Sequence, residues 1–244
     1  MRKIHSQVSV DLPQPVIRPY DPKDGDAVRS MCFSHFRGLS LPAVQYYVAQ
    51  HLTDFAVLTL LGYLFTGAIR KVIAMSCLFL LYLFVRAYYE MRAYILYNCP
   101  DLMSIEKSYA GTSSFWVAEI TGPKGARIVG CVGIAPSRTT PSSGQLLRLV
   151  VLPECRRMRV GSRLLLAIEN VAIEKGFEEI RLHTNNLNTA HMNFIGHHGY
   201  QLVSRIPRLL MRGDLLFWQK KLTEKKSPRS RERTVTDAMG PMLD

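Results

Sequence analysis

The chain has 244 residues, with 31 Lys and Arg against 19 Asp and Glu and a formal net charge of +12. That is long enough for one globular domain with additions, and basic enough for an acidic ligand or an anionic membrane surface. Its five cysteines, Cys32, Cys77, Cys99, Cys131 and Cys155, are odd in number and lack paired spacing, which argues against a disulfide or zinc framework and for reduced thiols facing the cytosol.

In chain order, residues 1–14 are polar, carry Pro13 and predict a mobile tail without the apolar run of a secretory signal. Val16 to Tyr20 predicts a short strand, and the DPKDGD turn leads into a helix over about Ala27 to Phe36. A moderately apolar segment, Leu41 to Leu52, follows. Phe55 to Val85 is the most apolar stretch, broken by Arg70 and Lys71. Either arm alone makes about 20 to 23 Å of helix, short of a hydrocarbon core of roughly 30 Å. Joined as one helix, they would put two cations near the bilayer centre, at a cost of several kcal/mol. A hairpin that enters and leaves one face, with Arg70 and Lys71 at its tip, avoids that cost. The alternative is a helical hairpin buried in a soluble core, against which stands the absence of a polar face on either arm. Arg86, Arg92 and the tyrosines at 88, 89, 94 and 97 then follow as an interfacial belt would.

A short helix over about Ser104 to Tyr109 comes next. Paired strands over Ser114 to Glu119 and Ala126 to Ile134 are joined by the turn Thr121 to Gly125, and Pro136 to Gly144 predicts a loop. Leu147, Leu149 and Val151 alternate with Arg148 and Val150 in a strand that Pro153 ends. Leu164, Leu165, Ile168, Val171 and Ala172 mark a helix from Gly161 to Lys175 that Gly176 closes. A strand follows over about Glu179 to Thr184, then a helix, then strands over Gln201 to Arg205 and Leu215 to Lys220. The last residues, 223–244, predict a disordered basic tail. Without interleaved aromatics that tail speaks for anionic lipid or solvent rather than nucleic acid.

Two places carry chemistry. Arg156 to Ser162 is a basic turn feeding a helix start, where unpaired N–H groups and the positive end of the helix dipole favour an anion. A solvated basic turn is the plainer reading of those residues. His183, late on its strand, titrates near neutrality and can act as a base, or can be a half-exposed strand histidine without a role. His191 and His198 share a helix face, but no Cys, Asp or Glu completes a ligand set with them, so no metal is expected.

In these motifs the stretch Leu147 to Tyr200 resembles the acetyl-CoA-binding core of the GNAT superfamily of N-acetyltransferases. That family's first motif is Arg/Gln-x-x-Gly-x-Gly/Ala, and its second is a helix of pattern Asn-x-x-Ala-x-x-Leu-Tyr-x-x-x-Gly-Phe. Arg156 and Gly161 match the first; Asn188, Phe194, Gly199 and Tyr200 match the second. Asp101 to Glu119 resembles more narrowly the camello-like, membrane-attached branch, of the N-acetyltransferase 8 and 14 type. The resemblance spans Val16 to about Leu222.

It implies an α/β (α+β) fold, a mixed central sheet flanked by helices and interrupted by a membrane-embedded segment. The domain would run over 15–222 with the membrane hairpin 55–85 inserted. For coenzyme A it implies pairing of the pantetheine arm with Leu149, Val150 and Val151. Phosphates would be anchored by Arg156, Arg157, Met158, Arg159, Val160, Gly161 and Ser162, with Asn188 and Asn193 contributing from the next helix. His183 would be the catalytic base. The implied activity is transfer of acetyl from acetyl-CoA to an amine of a small molecule or protein, without metal. The implied setting is the endoplasmic reticulum or another internal membrane, with lipid as a partner and the catalytic domain facing the cytosol. Three residues depart from the pattern. Arg159 stands at the middle glycine, Ile195 at the tyrosine that protonates the thiolate, and Arg148 where close relatives carry histidine. A tyrosine restored at 195 is accordingly expected to raise turnover. The departures also keep open a membrane pseudoenzyme acting through partners, and behind it a basic nucleic-acid-binding regulator.

Overall fold

The alternation read from the sequence becomes one seven-stranded sheet in a computed structural model that describes residues 14–122, 125–208 and 212–222. The two terminal tails lie outside those residues, apart from Gln14. The strands are β1 (Val16–Pro19), β2 (Ser114–Gly122), β3 (Gly125–Pro136), β4 (Ser143–Val151), β5 (Glu179–Asn185), β6 (Gln201–Ile206) and β7 (Leu215–Lys221), in the order β1-β2-β3-β4-β5-β7-β6. Every neighbouring pair is antiparallel except β4 with β5. A parallel pair needs a crossover. Helix α6 (Val160–Glu174) supplies it, burying Leu164, Leu165, Ile168, Val171 and Ala172 on one face of the sheet. Gly130 on β3 makes the approach close, because a Cβ there would stand 2.9 Å from Leu164 Cδ1 and 3.2 Å from the Val150 carbonyl.

The opposite face carries α1 (Gly25–Arg37), through Val28, Met31 and Cys32, together with Leu102, Ile105 and Tyr109 around the short helix α5 (Ile105–Ser108). Helix α2 (Ser40–Gln50) packs beside them. Helix α7 (Thr189–His197) follows β5, with Asn188 as its N-cap accepting from His191 N–H at 3.1 Å.

The apolar segment is a helical hairpin whose details differ from expectation. Helix α3 (Leu52–Thr66) ends in Gly67, which takes the left-handed conformation at φ +59, and α4 starts at Ile69. The tip is therefore Gly67 and Ala68, because the chain turns where glycine allows it, and Arg70 and Lys71 lie in the first turn of α4. That second arm does not end at Val85. Helix α4 runs unbroken over Ile69–Asn98, about 45 Å at 1.5 Å per residue. Leu83, Ala87, Met91 and Ile95 recur every four residues and are buried against the domain, which carries the helix through the tyrosine belt. Helix α3 buries no residue. By length and composition α4 is a helix that could cross a membrane.

Candidate active site

Strands β4 and β5 pair over only four rungs, from Ser143 opposite Glu179 to Leu146 opposite Leu182. Beyond these they part. On the other side of β4, Val150 pairs with Cys131 and Leu147 with Gly133, so two residues, Arg148 and Leu149, stand opposite Val132 alone. This is a bulge, which bends the strand and strengthens its local twist. Arg148 sits in it at φ +55, a conformation costing an L-residue about 1 to 2 kcal/mol.

The Arg148 side chain holds the bulge in place. Its Nε donates to Asp101 Oδ2 at 2.9 Å, its Nη2 to Asp101 Oδ1 at 2.5 Å and to the Asn98 carbonyl at 3.3 Å. Tyr109 donates its hydroxyl to the same Asp101 Oδ2 at 2.8 Å. Burial works against the charge of Asp101, yet the guanidinium and the phenol outweigh it and hold the carboxyl below its usual range. Burial, with Asp101 beside it, pushes the Tyr109 phenol up.

Past Leu146 the β4 edge has no β5 partner, and a cavity of about 370 Å³ opens along it. Its walls come from β4, from His183 to Asn185 on β5, from His35 on α1, from Tyr94 on α4 and from His191 on α7. A second cavity of about 310 Å³ shares His35, Leu39, Val150 and Asn188 with the first and reaches Val151 and Arg156. The two form one trough from His183 toward the start of α6.

At that start the chain takes two left-handed arginines, Arg157 at φ +66 and Arg159 at φ +58. The first helical hydrogen bond is Arg163 N–H to the Arg159 carbonyl at 3.0 Å, so the N–H groups of Val160, Gly161 and Ser162 have no intrahelical partner. Arg156, Arg157 and Arg159 are exposed, and among the described residues none is ion-paired. Three free donors, the helix dipole and three free cations suit a phosphate. A Cβ on Gly161 would lie 3.2 Å from the Phe194 ring, so this glycine lets α7 close against the first turn of α6. The trough and the donor cluster fit a long ligand with an anionic end.

The structure gathers Leu149, Val150, Val151, Arg156, Asn188 and His183 along this trough. Asn193 it places elsewhere, lining a separate cavity with His197 and Trp218. Ile195 is fully buried in the main core, so a tyrosine there would meet packed side chains rather than the trough. His183 Nδ1 lies 3.5 Å from Gln145 Nε2, and its ring meets Phe217 edge-on with centroids 4.6 Å apart. Burial lowers its pKa, so it is neutral at pH 7 and able to accept a proton. His35 and His191 are two polar wall residues that sequence reasoning did not assign to the site. Burial, aided by the charge of Arg156, lowers His35 to about 4. Burial, aided by His35 and Arg156, lowers His191 to about 4 as well.

Residues 78–200 match the acetyltransferase (GNAT) family. Over 103 residues the chain is 34% identical to "Probable N-acetyltransferase camello" of Xenopus tropicalis, covering 41% of this chain and 45% of that one. Over 132 residues it is 32% identical to N-acetyltransferase family 8 member 2 of Rattus norvegicus, covering 52% and 56%. The chain thus spans about half the length of the curated relatives it matches, and its likeness lies with the camello and N-acetyltransferase 8 branch. A GNAT-family acetyltransferase structure from Staphylococcus aureus Mu50 aligns at 16% identity and a TM-score of 0.49, covering 86% of this chain and 99% of that one.

Proposed function

This chain belongs to the acetyltransferase (GNAT) family, and we propose that it transfers the acetyl group of acetyl-CoA to an amine while attached to a membrane, its catalytic domain in the cytosol. The observation that carries the reading is the unpaired β4 edge beside a trough that reaches Arg156, four residues before the free N–H groups at the start of α6. Leu149 to Val151 offer backbone donors and acceptors to the amides of a pantetheine arm. Val160, Gly161 and Ser162, with Arg156, Arg157 and Arg159 around them, receive the phosphates. Acetyl-CoA, when bound, supplies an acetyl group activated as a thioester. An alkyl ammonium at pH 7 must lose a proton before its nitrogen can attack, and neutral His183 takes that proton. Attachment rests on the exposed apolar surface of α3 and α4, where Leu58, Leu64, Phe65, Met75 and Leu78 are each more than 60% exposed. A solvated surface of that size and chemistry is unfavourable in water.

The buried Ile195 supports a second reading, a membrane pseudoenzyme that binds coenzyme A without turnover, because the core and not the trough receives its side chain. Calorimetry with acetyl-CoA on protein in detergent, followed by thiol release against a panel of amines, separates the two. Binding with turnover is expected. Binding without turnover selects the pseudoenzyme, and the absence of binding overturns both. Recovery of the full chain in the soluble fraction after a carbonate wash would overturn the membrane attachment.

A further inference from the structure

The cavity along the β4 edge has an unusual balance of charge for a site that is to receive an ammonium. Among the described residues its walls include Arg148, Arg208 and Arg212 and no Asp or Glu, and the three histidines beside them, whose pKa values burial lowers, are neutral at pH 7. The carboxylates beside these arginines are engaged: Asp101 by Arg148, Glu90 by Arg212 Nε at 3.0 Å, and Asp214, which accepts from the Arg208 backbone N–H at 3.3 Å, by Arg205. Among the described residues the Arg208 guanidinium has no carboxylate within ion-pair distance, and Arg212 lies over the Tyr94 ring at 5.6 Å from its centroid. A simple cationic amine would enter against this field. An amine that brings its own anion would be drawn in by it, with a guanidinium fork to receive a phosphate.

The wall behind these arginines is α4. Met91, Tyr94 and Asn98 line the cavity from the same helix whose first part is the exposed apolar arm. Taking Arg86 as the polar end of that arm, Met91 lies about 7 Å and Asn98 about 18 Å farther along the axis. A headgroup layer adds roughly 5 to 8 Å outside the hydrocarbon on each side. Tyr89, Leu96 and Tyr97, at 61%, 53% and 83% exposed, carry apolar surface past Arg86 and along the outer face of the same helix. The cavity therefore begins at the depth of lipid headgroups, and its entrance is flanked by surface suited to acyl chains.

We propose that the acceptor is the primary amine of an aminophospholipid, its phosphate held by Arg208 and Arg212 and its acyl chains lying along α3 and α4. The proposal rests on the transferase reading above and names its substrate class. The reaction balances without any further reagent. The ammonium gives one proton to His183, its nitrogen then forms a bond to the acetyl carbon, and as the carbon–sulfur bond breaks the nitrogen sheds a second proton, which balances the one the departing thiolate takes up. Coenzyme A leaves as the thiolate and takes up a proton at its ordinary pKa.

The test uses the full chain in phosphatidylcholine vesicles with and without phosphatidylethanolamine, supplied with acetyl-labelled acetyl-CoA. Free phosphoethanolamine and free amino acids serve as the soluble arms. Label in the lipid extract only when phosphatidylethanolamine is present is the expected result. Arg208→Gln should raise the apparent KM for the lipid about tenfold, the loss of one charge-assisted contact of about 1.4 kcal/mol. A readout that needs no turnover is calorimetry with short-chain phosphatidylethanolamine in the absence of acetyl-CoA, where Arg208→Gln should weaken binding by a similar factor. Equal turnover of free phosphoethanolamine would overturn the lipid source. Turnover of amino acids alone, with no lipid binding, would overturn the proposal and leave the transferase standing. Coenzyme A binding without thiol release in any arm would bring down the transferase reading as well.

Discussion

Replacing Arg159 by glycine tests the turn that is assigned to the phosphates. Arg159 holds φ +58 and ψ +13 as the residue before α6, and an L-residue in that region carries about 1 to 2 kcal/mol of strain. Glycine removes the strain but returns about 0.4 to 1 kcal/mol through the greater freedom of the unfolded chain. The net gain is about 0.5 to 1 kcal/mol, which for a chain of this size raises Tm by about 1 to 4 °C. Arg159→Ala removes the same charge and keeps the strained backbone, so it isolates the conformational term. Thermal unfolding in detergent should therefore rank Gly above Ala. Calorimetry with coenzyme A should show the glycine variant binding at least as well as the alanine variant, both within about fivefold of the parent, as expected for one exposed charge pair. A glycine variant less stable than the alanine variant would refute the left-handed turn. A loss of more than about thirtyfold in both would show that Arg159 is itself a principal phosphate ligand.

Three further outcomes follow from the same geometry. Asp101→Asn strands Arg148, whose side chain is only 11% exposed, and should cost about 3 kcal/mol of unfolding free energy in a denaturant titration. The parent's stability from this pair is complete above the ordinary carboxyl pKa of 3.8 and is lost as pH falls through the depressed folded value, a loss that Asp101→Asn should abolish. His183→Ala should lower kcat while leaving coenzyme A affinity within a factor of a few. The parent kcat should rise with pH and level off around a midpoint below the usual histidine value of 6.5, because burial lowers this imidazole; a midpoint above 6.5, or no response to the substitution, would place the base elsewhere. Ile195→Tyr should lower Tm, with about 1 to 3 kcal/mol of overpacking, and should not raise kcat. A faster enzyme would show that the side chain at 195 reaches the trough.

How much of this was legible in the sequence depends on the range of the cause. The run from β4 through α6 to β5 was readable because its signals are local: alternation ending at Pro153, apolar residues at helical spacing, and Gly176 in the left-handed position. The hairpin is legible as two apolar arms, but the charges at Arg70 and Lys71 do not mark its tip. Gly67, three residues earlier, is where the backbone can turn. Asn193 does not share the side of Asn188, because five residues on a helix turn a side chain about 140° from its predecessor, onto another face. His191, three residues from Asn188, keeps to the trough side. The bulge at Arg148 was not readable, since arginine has no preference for positive φ and its contacts with Asp101 and the Asn98 carbonyl, both distant in sequence, hold it there. Nor was His35, which reaches the site from α1 solely through the packing of α1 across the sheet.

The network that opens the site also ties it to the apolar hairpin. Arg148 bonds at once to Asp101 and to the carbonyl of Asn98, the last residue of α4. Tyr94 and Met91, one and two turns back, wall the cavity, and Leu83 and Ala87 continue the same buried stripe toward the apolar arm. A tilt of α4 relative to the sheet would therefore move the far wall of the cavity and pull on the one side chain that fixes the bulge. The unpaired β4 edge, to which the proposed function assigns the pantetheine arm, would shift with it. Helix α4 is therefore not an anchor appended to a separate domain, because its last third is part of the cavity's own wall.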